Sequence, residues 1–176
     1  MPDEMKSFNI ETARLRLRPF TREDVDELHR LFVEPGVRKF LWDDEVIPRE
    51  RTESVIETSI ASFEAEGFGL WAVLLQAEDA LIGFCGFWLF HDPPQLELLY
   101  GLSEECWNTG LATEMARATL SYGFEQLGFE RIEASTDAAH AASVRVMQKA
   151  GMTFWKRECT NGLDTVYYAA TRKTFH

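Results

Sequence analysis

Leu96-Glu97-Leu98-Leu99-Tyr100-Gly101-Leu102-Ser103, then Glu104-Glu105-Cys106-Trp107-Asn108-Thr109-Gly110, then Leu111-Ala112-Thr113-Glu114-Met115: the chain passes from an apolar strand through a short polar turn into a helix. In the helical part Leu111, Met115, Ala116, Leu120, Phe124 and Leu127 recur at steps of three and four. Arg117, Ser121 and Glu125 are left for the wet side, and Gly128 supplies the stop. Arg131 to Thr136 then alternates, with Ile132, Ala134 and Thr136 on one side. A helix has carried the chain between two strands, and such a crossover joins parallel strands. Asp137 to Gly151 follows as a second helix, packed through Val144, Met147 and Ala150, with Gly151 just past its end.

Outward from this unit, Arg14-Leu15-Arg16-Leu17-Arg18 reads as a strand with both leucines inward, limited by Pro19. Thr21 and Asp24 form a capping-box pattern before a helix whose face is Val25, Leu28, Leu31 and Phe32, ended by Pro35-Gly36. Val37 to Ile47 shows no periodicity. Pro48 opens a helix that buries Val55, Ile56, Ser59, Ile60 and Phe63 and stops at Gly67. Strands are expected at Gly69 to Gln76, Leu81 to Phe90 and Gln95 to Ser103, joined by Ala77-Glu78-Asp79-Ala80 and His91-Asp92-Pro93-Pro94. Connections this short imply antiparallel neighbours. Met152 to Cys159 and Leu163 to Ala170 flank an Asn161-Gly162 turn and read as a closing hairpin. The expected fold is α/β: a mixed, mostly antiparallel sheet of six to seven strands flanked by about four helices, in one domain over residues 1–176.

Composition narrows the function. A net charge of −11 argues against a nucleic-acid partner and weakly favours cationic or amine substrates. Cys85, Cys106 and Cys159 are odd in number and lack metal-ligand spacing, so neither a disulfide framework nor a metal site is expected. The start of the chain has no apolar signal segment, and the longest apolar run, Leu81 to Phe90, is too short to span a bilayer. A cytoplasmic protein that leaves membranes alone is the expectation.

The turn before Leu111 is where an anion would bind, because a helix N-terminus offers free N–H groups and the positive end of a dipole. Trp107-Asn108-Thr109-Gly110-Leu111-Ala112 resembles the Q/R-x-x-G-x-G/A loop of the GNAT N-acetyltransferase superfamily, in the Trp-Gly-Lys-Gly-Tyr-Ala-Thr-Glu variant of its ribosomal-protein alanine/serine N-acetyltransferase-like (RimJ/RimL-type) branch. The likeness extends through Ile10-Glu-Thr-Ala-Arg-Leu-Arg-Leu-Arg-Pro-Phe and Ser143-Val-Arg-Val-Met-Gln-Lys-Ala-Gly-Met. It implies a parallel strand pair that splays to admit acetyl-CoA, with Asn108, Thr109, Gly110, Leu111, Ala112 and Thr113 around the pyrophosphate. Leu98, Leu99 and Tyr100 would line the donor's path. Val37 to Ile47 would, by the same resemblance, be the family's variable lid near the acceptor site, the alternative being plain packing against the core. The loop departs from the branch in having Asn108-Thr109 for Gly-Lys, which removes a glycine and a cation, although Asn tolerates left-handed φ. His140 replaces the branch's asparagine and is either a cofactor contact or a lone surface histidine.

Acetyl transfer to an amine needs a neutral amine, a polarised carbonyl and a stabilised thiolate. Glu97, on the strand leading to the loop, is the candidate base; the alternative is a solvated, outward-facing residue. The resemblance places oxyanion donors at a strand bulge near Leu98 or Leu99. It places Ser143 beside the thiolate, the alternative being a local helix cap. Tyr100 is a further hydroxyl donor or a core aromatic. Trp107 reads as a core aromatic closing the strand end, and Glu114 as a dipole-stabilising carboxylate. The reading is an acetyl-CoA-dependent N-acetyltransferase acting on a small-molecule amine or a protein N-terminus, with a homodimer allowed. A non-catalytic acyl-CoA-binding or protein-interaction module is the alternative.

Overall fold

The computed structural model describes residues 7–91 and 93–176. The Met-Pro-Asp-Glu-Met-Lys start and Asp92 of the His91-Asp92-Pro93-Pro94 turn lie outside the described residues. Among the described residues the elements in chain order are β1 Ile10–Glu11, β2 Leu15–Pro19, α1 Val25–Phe32, α2 Pro35–Leu41, α3 Arg49–Glu66, β3 Leu70–Leu75, β4 Ala80–Phe90 and β5 Gln95–Leu102. α4 Leu111–Glu125, β6 Arg131–Asp137, α5 Ala141–Lys149, β7 Thr153–Thr160 and β8 Leu163–Thr171 complete it. The eight strands make one sheet in the order β1-β2-β3-β4-β5-β6-β8-β7, antiparallel except for β5 and β6.

This is the expected architecture with one more strand and one more helix. β1 pairs only Ile10 with Leu17 and Glu11 with Arg16, too short a segment for any period to show. α2 was hidden by Pro35-Gly36, read as a stop: a proline at the first helical position also starts a helix, and here it does. Gly36 instead accommodates Trp107 and Glu104, whose side chains stand where its Cβ would be.

The sheet separates two apolar clusters. Leu15, Leu17, Trp71, Val73, Cys85, Phe87 and Leu98 pack with α4 and α5 on one side. Leu70, Ala72, Leu74 and Phe84 pack with α1, α2 and Ile56 of α3 on the other. β3 is covered on both faces, which is why Leu70-Trp-Ala-Val-Leu-Leu reads as an unbroken apolar run. β2 keeps its alternation, and the Arg18 guanidinium grips Asp24 through two bonds of 2.8 Å, pinning the strand to the entrance of α1. Asn161 and Gly162 turn the β7–β8 hairpin with φ of 53° and 80°. No helix among the described residues is long and apolar enough to cross a membrane.

α4 lies close on the sheet because Gly123 faces it: a Cβ there would stand 2.7 Å from Phe87 Cζ and 2.8 Å from Ile132 Cδ1. Alanine would gain about 1 kcal/mol of helix propensity, whereas overpacking costs about 1–3 kcal/mol. Gly123→Ala is therefore expected to lose up to about 2 kcal/mol net. At about 2–4 °C per kcal/mol the thermal midpoint should fall by up to about 8 °C. A midpoint that rises in a circular-dichroism melt would show that helix propensity, and not contact with the sheet, governs this position.

Candidate active site

A strand offers backbone groups to a ligand only where its neighbour has left. β5 and β6 pair at one position, Glu97 with Glu133, whereas β4 and β5 pair in continuous register from Gly83–Leu102 to Phe90–Gln95. Ser103 donates its N–H to Ile82 O, which makes that antiparallel pair a hydrogen-bonded one. Phe87 donates its N–H to Gly69 on the β3 side. By alternation Leu99 bonds toward Gly86, and the N–H groups of Leu98 and Tyr100 face β6. The expected bulge is thus replaced by a plain splay. Leu99 is turned the wrong way, and the Tyr100 N–H, beyond the single β5–β6 pair, faces the gap.

The gap opens into a cleft of about 700 Å³ lined by α2, β5, the loop before α4, the end of β6 and the start of α5. Glu97, Leu98, Leu99, Tyr100, Asn108, Thr109, Gly110, Ala112, Thr113, His140 and Ser143 all border it. Leu111 does not, because its side chain is buried in the core and only its backbone is available.

Glu97 is 3% exposed, which rules out the solvated reading. Its Oε2 accepts from Ser135 Oγ at 2.7 Å across the splay, and its Oε1 lies 2.8 Å from His91 Nε2. Neither partner was foreseen. His91 stood in a segment read only as a turn, and Ser135 lies on the side of β6 opposite the apolar residues that defined that strand.

At the other end of the cleft the loop before α4 turns through two residues with positive φ. Asn108 adopts φ 59° and Gly110 φ 82°, with Gly110 as the N-cap of α4. The first-turn N–H groups of Leu111, Ala112 and Thr113 have no acceptor within the helix. Arg14 reaches over from just before β2: Nη1 donates to Thr109 O at 3.0 Å, and Nε donates to Glu114 at 2.7 Å. Glu114 also accepts from Thr12 Oγ1 and the Arg14 N–H. Burial opposes its charge, but these bonds hold its carboxyl below the usual range. Glu114 is thus a clasp more than a dipole partner. Arg145 and Lys149 line the cleft from α5 and offer cations in place of the one the loop lacks.

Ser143 does not cap its helix, whose N-cap is His140. It faces Tyr100: Tyr100 Oη donates to Ser143 O at 3.0 Å and lies 2.9 Å from Ser143 Oγ. Burial raises the Tyr100 phenol well above its ordinary range, so it remains a donor. His140 is no lone surface residue. Its ring stacks on Phe40 of α2 at 3.8 Å and 6°, and burial pushes its pKa down. Trp107 is 43% exposed, not a core aromatic, although its Nε1–H does close the strand end on Leu102 O at 2.9 Å. The cysteines are free, and no cluster of three acidic, histidine or cysteine side chains that could hold a metal occurs among the described residues.

The profile of the acetyltransferase (GNAT) domain family matches residues 14–153. The Bacillus subtilis (strain 168) protein named uncharacterized N-acetyltransferase YnaD is 30% identical over 167 residues, 92% of this chain and 95% of its own. A GNAT-family acetyltransferase structure from Bacillus anthracis aligns with a TM-score of 0.80 at 27% identity, over 94% of this chain and 99% of its own. RimL, a ribosomal L7/L12 alpha-N-protein acetyltransferase solved with coenzyme A, shares the fold with a TM-score of 0.79 at 19% identity, over 93% and 97% of the two chains. The profile runs from the arginine clasp through the splayed strands and past α5, and on that ground the chain belongs to the GNAT family and is an acetyl-CoA-dependent acyltransferase.

Proposed function

We propose that the chain, acting as one domain, moves the acetyl group of acetyl-CoA to a primary amine by direct attack in a ternary complex, as a RimJ/RimL-type N-acetyltransferase. The observation that carries this reading is the placement of a buried carboxylate, Glu97, and a hydroxyl pair, Ser143–Tyr100, around one cleft that also contains the loop at the head of α4. The loop N–H groups and Arg145 and Lys149 would hold the pyrophosphate, while the Tyr100 N–H in the splay would polarise the thioester carbonyl. The Glu97 side of the cleft would draw the proton from the amine. Ser143 would turn its hydroxyl hydrogen from Tyr100 to the departing sulfur, since the Tyr100 phenol keeps its own proton on Ser143 O.

Acetyl-CoA at about 100-fold over its Kd should stabilise the fold by about 2.7 kcal/mol, a rise in thermal midpoint of about 5–10 °C. Gly110→Val should abolish that rise. Because Gly110 holds φ 82°, a β-branched residue there also strains the backbone, so the unliganded midpoint should drop as well. Normal stabilisation of the variant would move the phosphate site away from this loop.

Glu97→Gln keeps the shape and removes the charge, and kcat/KM at neutral pH should fall by about 10²–10⁴. The deficit should shrink as pH approaches the amine's own pKa, where free amine no longer needs a base. Ser143→Ala should leave the acetyl-CoA stabilisation unchanged and lower kcat. The measurement is release of CoA thiol over a panel containing a peptide with a free N-terminal serine, spermine and paromomycin. Unchanged Glu97→Gln rates at every pH would move the base elsewhere.

A further inference from the structure

Glu97 is poorly placed to meet an amine itself. Its side chain is 4% exposed, and both its oxygens are engaged, by His91 Nε2 and by Ser135 Oγ. A base must come within about 2.6–3.2 Å of the nitrogen it deprotonates, and an enclosed carboxylate leaves almost no surface for that approach. His91 has the opposite character. Its side chain is 42% exposed, it lines the same cleft, and its Nδ1 has no hydrogen-bond partner among the described residues.

The chemistry of the pair fixes which nitrogen is free. An ionised carboxylate only accepts, so His91 Nε2 must carry the hydrogen that points at Glu97. In the neutral imidazole Nδ1 is then a bare lone pair open to the cleft. The backbone also departs from its ordinary range to put the ring there: His91 has φ 72°, a left-handed conformation that costs a non-glycine residue free energy and that clusters at functional sites. The rings of Phe90 and Tyr167, with centroids at 6.2 and 6.5 Å, flank the imidazole.

We propose that His91 is the residue that takes the amine's proton, with Glu97 holding its tautomer and balancing the charge of the imidazolium. This rests on the N-acetyltransferase reading above and makes Glu97 the buried partner of the base instead of the atom that touches substrate. As the N–C bond forms, the nitrogen's proton passes to Nδ1; the C–S bond breaks and its electron pair leaves on sulfur. The proton that His91 then gives to water through its exposed edge balances the one the thiolate takes up, so amine and thioester become amide and thiol.

Two measurements on the full chain test the pair. Long-range ¹⁵N–¹H correlation spectra of the ligand-free protein should show His91 as the Nε2–H tautomer, and Glu97→Gln should weaken that preference. His91→Asn, which tolerates the left-handed backbone, and His91→Ala should each lower kcat by about 10²–10⁴ with the acetyl-CoA thermal shift intact. Added imidazole should restore at least about tenfold of the His91→Ala rate, which loss of a merely structural side chain would not allow. An Nδ1–H tautomer in the wild type, variant rates within about threefold of wild type, or a rate loss that imidazole does not relieve would overturn the proposal. If the wild type acetylates no amine of the panel, the acceptor reading fails on its own, and the tautomer still decides the role of His91.

Discussion

Every backbone N–H and C=O in a sheet interior is spoken for by the neighbouring strand, and an unpaired one away from water is costly. A sheet can therefore present backbone donors to a ligand only by letting two strands part. β5 and β6 do this after a single pair, Glu97 with Glu133. The crossover through α4 permits it, because parallel neighbours joined by a helix need not stay in register as hairpin arms do. Beyond the pair the Tyr100 N–H, the first turn of α4 and the start of α5 all border the same opening. The splay is also what gives Ser135 its reach to Glu97.

A carboxylate as enclosed as Glu97 must be hydrogen-bonded, since leaving a charged buried group without partners costs more than the roughly 1–3 kcal/mol of a neutral one. Its two partners come from opposite sides, one from the neighbouring strand and one from the β4–β5 turn, so the group is fixed in position as well as solvated. The same logic operates at the loop. Glu114 in the first turn of α4 would repel a phosphate placed there. Arg14 neutralises it and holds Thr109 O with the same guanidinium, so the residue just before β2 contributes to a site far from it in sequence.

Much of this was legible in the chain. Steps of three and four gave α1, α3 and α4, strict alternation gave β2, and Asn161-Gly162 gave the final hairpin, because each of these elements has one buried and one wet side. β1 and α2 escaped for different reasons: one is shorter than any period, and the other begins with a Pro-Gly pair that also reads as a turn. Leu111 was read both as the first residue of the apolar stripe and as a backbone donor, and its side chain is buried in that stripe. His91, Ser135 and Arg14 were invisible as site residues, because their partners are set by hairpin register, by a splay and by a contact across 100 positions. Sequence pattern reports what a residue does within its own element; these three act between elements.

α2 shows how such contacts join the two halves of the cleft. At its N-terminal side Glu34 accepts from Ser103 Oγ at 2.8 Å and from the Glu104 N–H at 2.7 Å, just before the loop that leads into α4. At its C-terminal end Phe40 lies flat on His140 at the head of α5. One short helix therefore touches the segment leading to the turn before α4 and the helix carrying Ser143, while its Val37, Phe40 and Leu41 face the cleft itself. α2 is thus tied to both sides of the cleft. The stack is an apolar contact so long as His140 is neutral, and burial, opposed by Asp137 and aided by Lys39, keeps its pKa low. The His140 ring thus gives α2 a flat partner, and both rings line the cleft where they meet.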